Sequence, residues 1–139
     1  MRTLFSISSI VLVLLVAGPA GSHERQEIGG MTVVFGGNPE PLLDSERCFL
    51  QWRFTDLKTK EPVANLQDLR LTIRFDGKEF GPFEARRIRR SPGMYQTHHI
   101  FTKPGEGEAT VTFKKEGEDK PLSLTLPFRI GSRKAIESP

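Results

Sequence analysis

Cysteine is almost missing: Cys48 is the single one in 139 residues. A lone thiol cannot close an internal bridge, so even an oxidising compartment would leave stability to a packed core. Charge of one sign is missing too, with Lys and Arg numbering 20 and Asp and Glu 17. Setting aside Arg2 leaves a nearly neutral domain, and the basic residues are not interleaved with aromatic platforms, which argues against nucleic-acid binding. No stretch sustains a helical period of apolar residues. No Ser/His/Asp signature, paired-carboxylate motif or phosphate-cradling glycine loop stands out, so an enzyme is not expected. What the chain does have is phenylalanine, ten residues against one Trp and one Tyr, together with an ordinary globular composition and a one-domain length.

The first residues differ in kind from the rest. Arg2 supplies a positive start, Leu4 to Val16 is apolar apart from a few serines, and Ala17 to Ser22 are small residues apart from Pro19. This is the pattern of a secretory signal peptide over 1–22, with cleavage after Ala20 or Ser22. The apolar run is shorter than the roughly 20 residues of a bilayer span, so no membrane span is expected after cleavage; an uncleaved anchor is the alternative. No cysteine lies near the cleavage zone to carry a lipid. The expected protein is exported, periplasmic or extracellular, with a folded domain over 23–131 and a patternless, disordered tail over 132–139.

Alternation with period two marks the domain as all-β. Met31 to Phe35 is a short strand stopped by Gly36-Gly37-Asn38-Pro39. In Arg47 to Thr55, Cys48, Leu50, Trp52 and Phe54 share one face and Gln51, Arg53 and Thr55 the other. Leu69, Leu71, Ile73 and Phe75 alternate with Arg70, Thr72 and Arg74, and Asp76-Gly77 is a hairpin signal. Gly81-Pro82 marks Glu79 to Ala85 as an edge or bulged strand. Pro92 to Phe113 reads as two strands paired in a hairpin about Lys103-Pro104-Gly105, with Tyr95, Thr97, His99 and Phe101 on one face of the first strand matched by Ala109, Val111 and Phe113 on one face of the second. After an acidic turn, Glu116 to Asp119, the last strand alternates Leu122, Leu124, Leu126, Phe128 and Ile130 with polar residues and Pro127. About seven short strands with turn signals between them predict an antiparallel immunoglobulin-like β-sandwich.

Thr55-Asp56 with Glu61-Pro62-Val63, the segment Pro92 to Tyr95, the Lys103 to Gly105 turn running on to Phe113, and GGMTVVFGGNPEPLLDSE ahead of them form an ordered set. Over roughly residues 29 to 131 the chain thereby resembles the YtkA-like/FixH-like group of exported bacterial domains. The resemblance implies an immunoglobulin-like sandwich outside the cytoplasmic membrane. It also implies copper handling or assembly of membrane respiratory enzymes, roles that some members have. FixH-type members are membrane-anchored, and a cleavable leader departs from that branch.

Two sets of candidate residues follow. A copper site would draw on His23, Met94 and His98, with Met31 and Cys48 as further donors; imidazole suits copper, and thioether and thiolate favour Cu(I). Cleavage after Ser22 would make His23 the first residue and add its amino group. No spacing motif joins these residues. His98 and His99 are adjacent on a strand and face opposite ways, His98 to solvent and His99 to the core edge, where a backbone hydrogen bond is expected. Cys48, in phase with Leu50, Trp52 and Phe54, reads as a buried small hydrophobe. The second set is Arg86, Arg87, Arg89 and Arg90, which would dock an acidic protein partner or an anionic lipid surface. The bland alternative is a solvated edge that resists sheet pairing, neutralised within the fold by the acidic Glu116 to Asp119 turn. The expected function is a non-enzymatic exported binding module serving a protein partner at the cell envelope, without a required cofactor; a copper carrier is the alternative.

Overall fold

The computed structural model describes residues 24–137. Its elements are β1 (Glu24–Ile28), β2 (Met31–Asn38), β3 (Arg47–Asp56), β4 (Gln67–Phe75), β5 (Lys78–Glu84), β6 (Arg86–Arg87), β7 (Met94–Ile100), β8 (Gly105–Lys114), β9 (Leu122–Ile130) and the helix α1 (Arg133–Glu137). They build two antiparallel sheets, β1-β2-β3-β7-β6 and β5-β4-β8-β9. With β1 set aside, the first sheet has the A-B-E-D order of an immunoglobulin sandwich and the second the C′-C-F-G order. The expected fold class holds. The count rises because β1, across the Gly29-Gly30 turn, and the two-residue β6 add to the strands legible as alternation.

The alternating apolar residues meet between the sheets. Trp52, Phe54, Leu50, Leu71, Ile73, Val111, Phe113 and Leu126 are fully buried, each contributing about 1.5–3 kcal/mol by removal from water, with the larger rings at the upper end. Phe54 joins the layers, its ring edge-on to Tyr95 of its own sheet at 5.6 Å and to Phe113 of the other at 5.0 Å. Trp52 stacks on Phe35 at 5.0 Å, and its Nε1 is a buried side-chain donor with no partner among the described residues.

The Pro92 to Phe113 stretch is not a hairpin. β7 pairs with β3 and β6, β8 pairs with β4 and β9, and the 101–104 segment carries the chain from one sheet to the other. Two strands with matched apolar faces satisfy them equally well by facing each other across a sandwich as by lying side by side, and the buried Phe101 marks the crossing. The Asp76-Gly77 turn does close the β4–β5 hairpin, with both residues at positive φ (53° and 68°), as a two-residue turn of right-handed twist requires. β5 is an edge strand with a register shift opposite Leu71 and Ile73. β9 is the other edge of that sheet, which leaves Pro127 room for its missing N–H. Past Gly131 the chain forms α1 where a patternless tail was expected; Arg133 N–H donates to Asp44 Oδ1 at 2.7 Å and its guanidinium to Glu46 at 2.8 Å. These two contacts come from a loop nearly ninety positions earlier, so no local pattern announces them. The leader and His23 lie outside the described residues. Among those described, no helix is long and apolar enough to cross a membrane.

Candidate functional site

Strand parity sends one set of side chains on β1, β2, β3, β7 and β6 out of the sandwich, and cross-strand register arranges them in rows. One row is Arg25, Val34, Arg53 and Met94; the next is Gly36, Gln51, Gln96 and Arg86; the third is Asn38, Phe49 and His98; the last is Arg47 and Ile100. Gly36 carries no side chain, so a shallow hollow of about 350 Å³ opens over it, walled by Val34, Gln51, Arg53 and Met94. Gln51 and Gln96 bridge β3 and β7 by a 3.0 Å hydrogen bond. Ile100 is 55% exposed, and the Phe49 ring lies 6.1 Å from that of His98.

Arg25, Arg47, Arg53 and Arg86 are exposed, and none makes an ion pair or hydrogen bond among the described residues. The strand carboxylate on this face is Glu27, at the far end opposite Thr32. The outer face of the second sheet is different in kind. Its hydroxyls pair across β8 and β9, Thr110 with Thr125 at 2.8 Å and Thr112 with Ser123 at 3.3 Å, and its charges pair as Arg74–Glu79, Arg129–Glu106 and Lys114–Asp68. The first face therefore combines unpaired arginines with apolar side chains, the mixture enriched where proteins bind one another.

The copper set does not come together. Met94 and His98 share the outer face of β7 but stand four residues apart, roughly 13 Å along a strand. Cys48 and Met31 are buried on the inner face. The Cys48 thiol donates to the Leu43 carbonyl at 3.2 Å, and burial pushes its pKa up, which opposes the thiolate a metal would need. His23 lies outside the described residues. Among the described residues no group of three or more His, Cys, Asp or Glu is placed to hold a metal ion. His99 faces inward among the rings of Phe80, Phe83 and Phe101, at 5.1, 5.9 and 4.8 Å. These rings stand where a backbone hydrogen bond was expected, and burial, with His98 next to it, lowers its pKa.

The arginine cluster divides. Arg86 belongs to the outer face, opposite Gln96, whereas Arg87 turns the other way and donates to the Ala64 carbonyl at 2.7 Å. Arg89 and Arg90 are exposed in the turn after β6. The acidic turn does not neutralise them: Glu116 accepts from Asn65 at 2.6 Å and Glu118 faces Lys115 at 3.9 Å. Arg25, Arg47 and Phe49 were missed as site residues. The parity of Arg47 to Thr55 already set Arg53 opposite the core residues, but only the pairing of β3 with β2 and β7 makes its row a surface.

No family model matches the chain, the YtkA-like/FixH-like one included, and no curated protein matches its sequence. Solved structures do match its fold. A DUF4426 family protein from Pseudomonas aeruginosa superposes with a TM-score of 0.61 at 14% identity, over 78% of this chain and 94% of that one. A copper-bound variant of FetP from uropathogenic Escherichia coli superposes with a TM-score of 0.56 at 13% identity, over 78% of this chain and 95% of that one. At such identities the likeness is one of fold, and the chain is an antiparallel β-sandwich of the kind both structures share.

Proposed function

We propose that this chain is an exported, non-enzymatic binding module that docks an acidic protein surface on the outer face of its five-stranded sheet. The observation that carries this reading is the set of four unpaired arginines interleaved with Val34, Phe49, Met94 and Ile100. Guanidinium groups pair bidentately with carboxylates while their stems and the apolar residues exclude water. The leader pattern over 1–22 supports export. The ordered segments over roughly residues 29 to 131 support kinship with the YtkA-like/FixH-like domains, some of which serve membrane respiratory enzymes.

The test places a photo-crosslinker at Ile100 in the protein exported by its own host. A crosslinked partner that vanishes in Arg53→Glu/Arg86→Glu, and persists in Arg70→Glu on the opposite sheet, supports the reading. A product that survives the double reversal refutes it.

A second reading, copper binding, is favoured by the fold likeness to copper-bound FetP and by the exposed His98 and half-buried Met94 on one face. With those two roughly 13 Å apart along β7, a site would need His98 joined by the N-terminal residues. Sequencing the mature terminus and titrating Cu(I) and Cu(II), with zinc as control, decides it. One-to-one binding lost in His98→Ala establishes copper; nothing tighter than about micromolar, roughly −8 kcal/mol, removes it.

A further inference from the structure

An open sheet edge invites pairing with another chain unless it is blunted. β9 carries Pro127, and the chain just past it is taken: Gly131 N–H donates to the Leu42 carbonyl at 2.8 Å, and the Gly131 carbonyl accepts from Asp44 N–H at 3.0 Å. β5 loses register against β4 between Leu71 and Ile73. β1 sets a charge, Glu24, on the inward parity opposite the buried Phe35. The remaining edge is less protected. β6 is only Arg86–Arg87, and it reaches β7 at Gln96 and Tyr95. One residue earlier the chain belongs to the other sheet, Ala85 N–H donating to the Leu69 carbonyl at 3.1 Å. Thr97 to Ile100, with no proline and no register shift, are therefore paired on the β3 side alone.

Main-chain groups alternate between the two sides of an antiparallel strand. The Met94 carbonyl turns to the β6 side and accepts from Ile88 N–H at 3.0 Å. The Gly93 and Phe101 carbonyls turn the other way, to Phe54 N–H of β3 and to Ser45 N–H of the loop before it. By that parity the N–H and C=O groups of His98 and Ile100 face the open side. The side chains flanking this edge differ by face. Inward, the half-buried Phe80 and Phe83 reach across from β5 to the His99 ring, at 5.1 and 5.9 Å. Outward, Arg86 stands in line with the open edge and Arg47 lies opposite Ile100, both exposed and unpaired among the described residues. The carboxylates of β5 do not offset them: Glu79 and Glu84 lie opposite Arg74 and Arg70, on the outer face of the other sheet.

We propose that the acidic partner docks by adding a short antiparallel strand to β7 at His98 and Ile100, prolonging the line of β6. Resting on the arginine-face reading, this names the part of the partner that binds: an extended segment alternating acidic and apolar residues. A residue opposite His98 or Ile100 bonds through its main chain and shares their outward face. The one opposite His98 lies about 7 Å from Arg86 along the line of β6, where a carboxylate meets the guanidinium. The residue between those two turns inward onto Phe80, Phe83 and His99, and there an apolar side chain fits.

The probe is a capped octapeptide alternating glutamate and valine, titrated into the exported protein and followed by its amide resonances and amide hydrogen exchange. Saturable submillimolar binding is expected, with exchange slowed at His98 and Ile100 and unchanged at Thr97 and His99, which already face β3. N-methylation of the peptide's glutamates removes the donors that face β7 and should weaken binding about ten-fold or more, near 1.4 kcal/mol. N-methylation of its valines, whose N–H groups face away, should leave binding within about two-fold. A lysine-valine octapeptide should bind about ten-fold more weakly or worse. No saturation below about 1 mM, near −4 kcal/mol, overturns the proposal. Equal effects of the two methylations overturn strand addition and leave the arginine face standing. Equal binding of the lysine peptide overturns strand addition and the arginine-face reading together.

Discussion

Tyr95→Phe removes one oxygen and tests how the 63–66 linker is held to the five-stranded sheet. The Tyr95 hydroxyl is buried, donates to the Val63 carbonyl at 3.1 Å and accepts from the Leu66 N–H at 3.2 Å. Phenylalanine keeps the ring against Phe54 but strands both backbone groups. Two net hydrogen bonds at about 0.5–1.5 kcal/mol each predict a loss of roughly 1–3 kcal/mol. For a domain of this size that is a fall in Tm of about 4–12 °C. Urea unfolding followed by Trp52 fluorescence should show a lower midpoint with an unchanged m-value. An alkaline arm sharpens the test, because Tyr95 is the single tyrosine. Burial raises its pKa above the ordinary value, outweighing the opposing Leu66 bond and the Arg87 charge. The folded state then holds the proton where the unfolded chain releases it. That part of the stability is complete below about pH 10 and is lost as pH climbs through the raised pKa. The variant should lack this increment of alkaline loss. A destabilisation under about 0.5 kcal/mol, the low end for a single net hydrogen bond, would refute the reasoning, as would identical alkaline profiles.

Two further outcomes follow from the same structure. His99 has a lowered pKa among Phe80, Phe83 and Phe101, so its contribution is present above the ordinary histidine value near 6.5 and is lost as pH falls through the lowered one. Acid unfolding profiles of the parent and His99→Phe should diverge below about pH 6.5, and superimposable profiles would show that the site does not penalise the charge. Gly93 sits at φ 78°, where a Cβ would lie 2.7 Å from the Phe54 carbonyl and 2.9 Å from Pro62 Cβ. Gly93→Ala should therefore cost well over about 1 kcal/mol, measured by the urea midpoint, and a neutral result would mean that the turn before β7 yields freely.

Period-two alternation by itself determined the strands β3, β4, β7, β8 and β9, which residues they bury and, through Asp76-Gly77, the β4–β5 hairpin. Those are local consequences of pleat and turn chemistry. β2 was legible only to Phe35, because ladder pairing with β3 carries it through Gly36 and Gly37 to Asn38. Alternation says which face of a strand is apolar and nothing about which strand lies beside it. For that reason β7 and β8, neighbours in sequence, fell on different sheets, and β6, too short to alternate, was read as a charge run. The site shows the same divide. The outward parity of Arg53, His98 and Met94 could be read from the chain, but their assembly with Arg25, Arg47 and Arg86 depended on register across β1, β2, β3, β7 and β6. The burial of Cys48, by contrast, followed from its phase with Leu50, Trp52 and Phe54, whereas the passage of the chain from one sheet to the other at Phe101 was decided only by the tertiary packing of the two sheets.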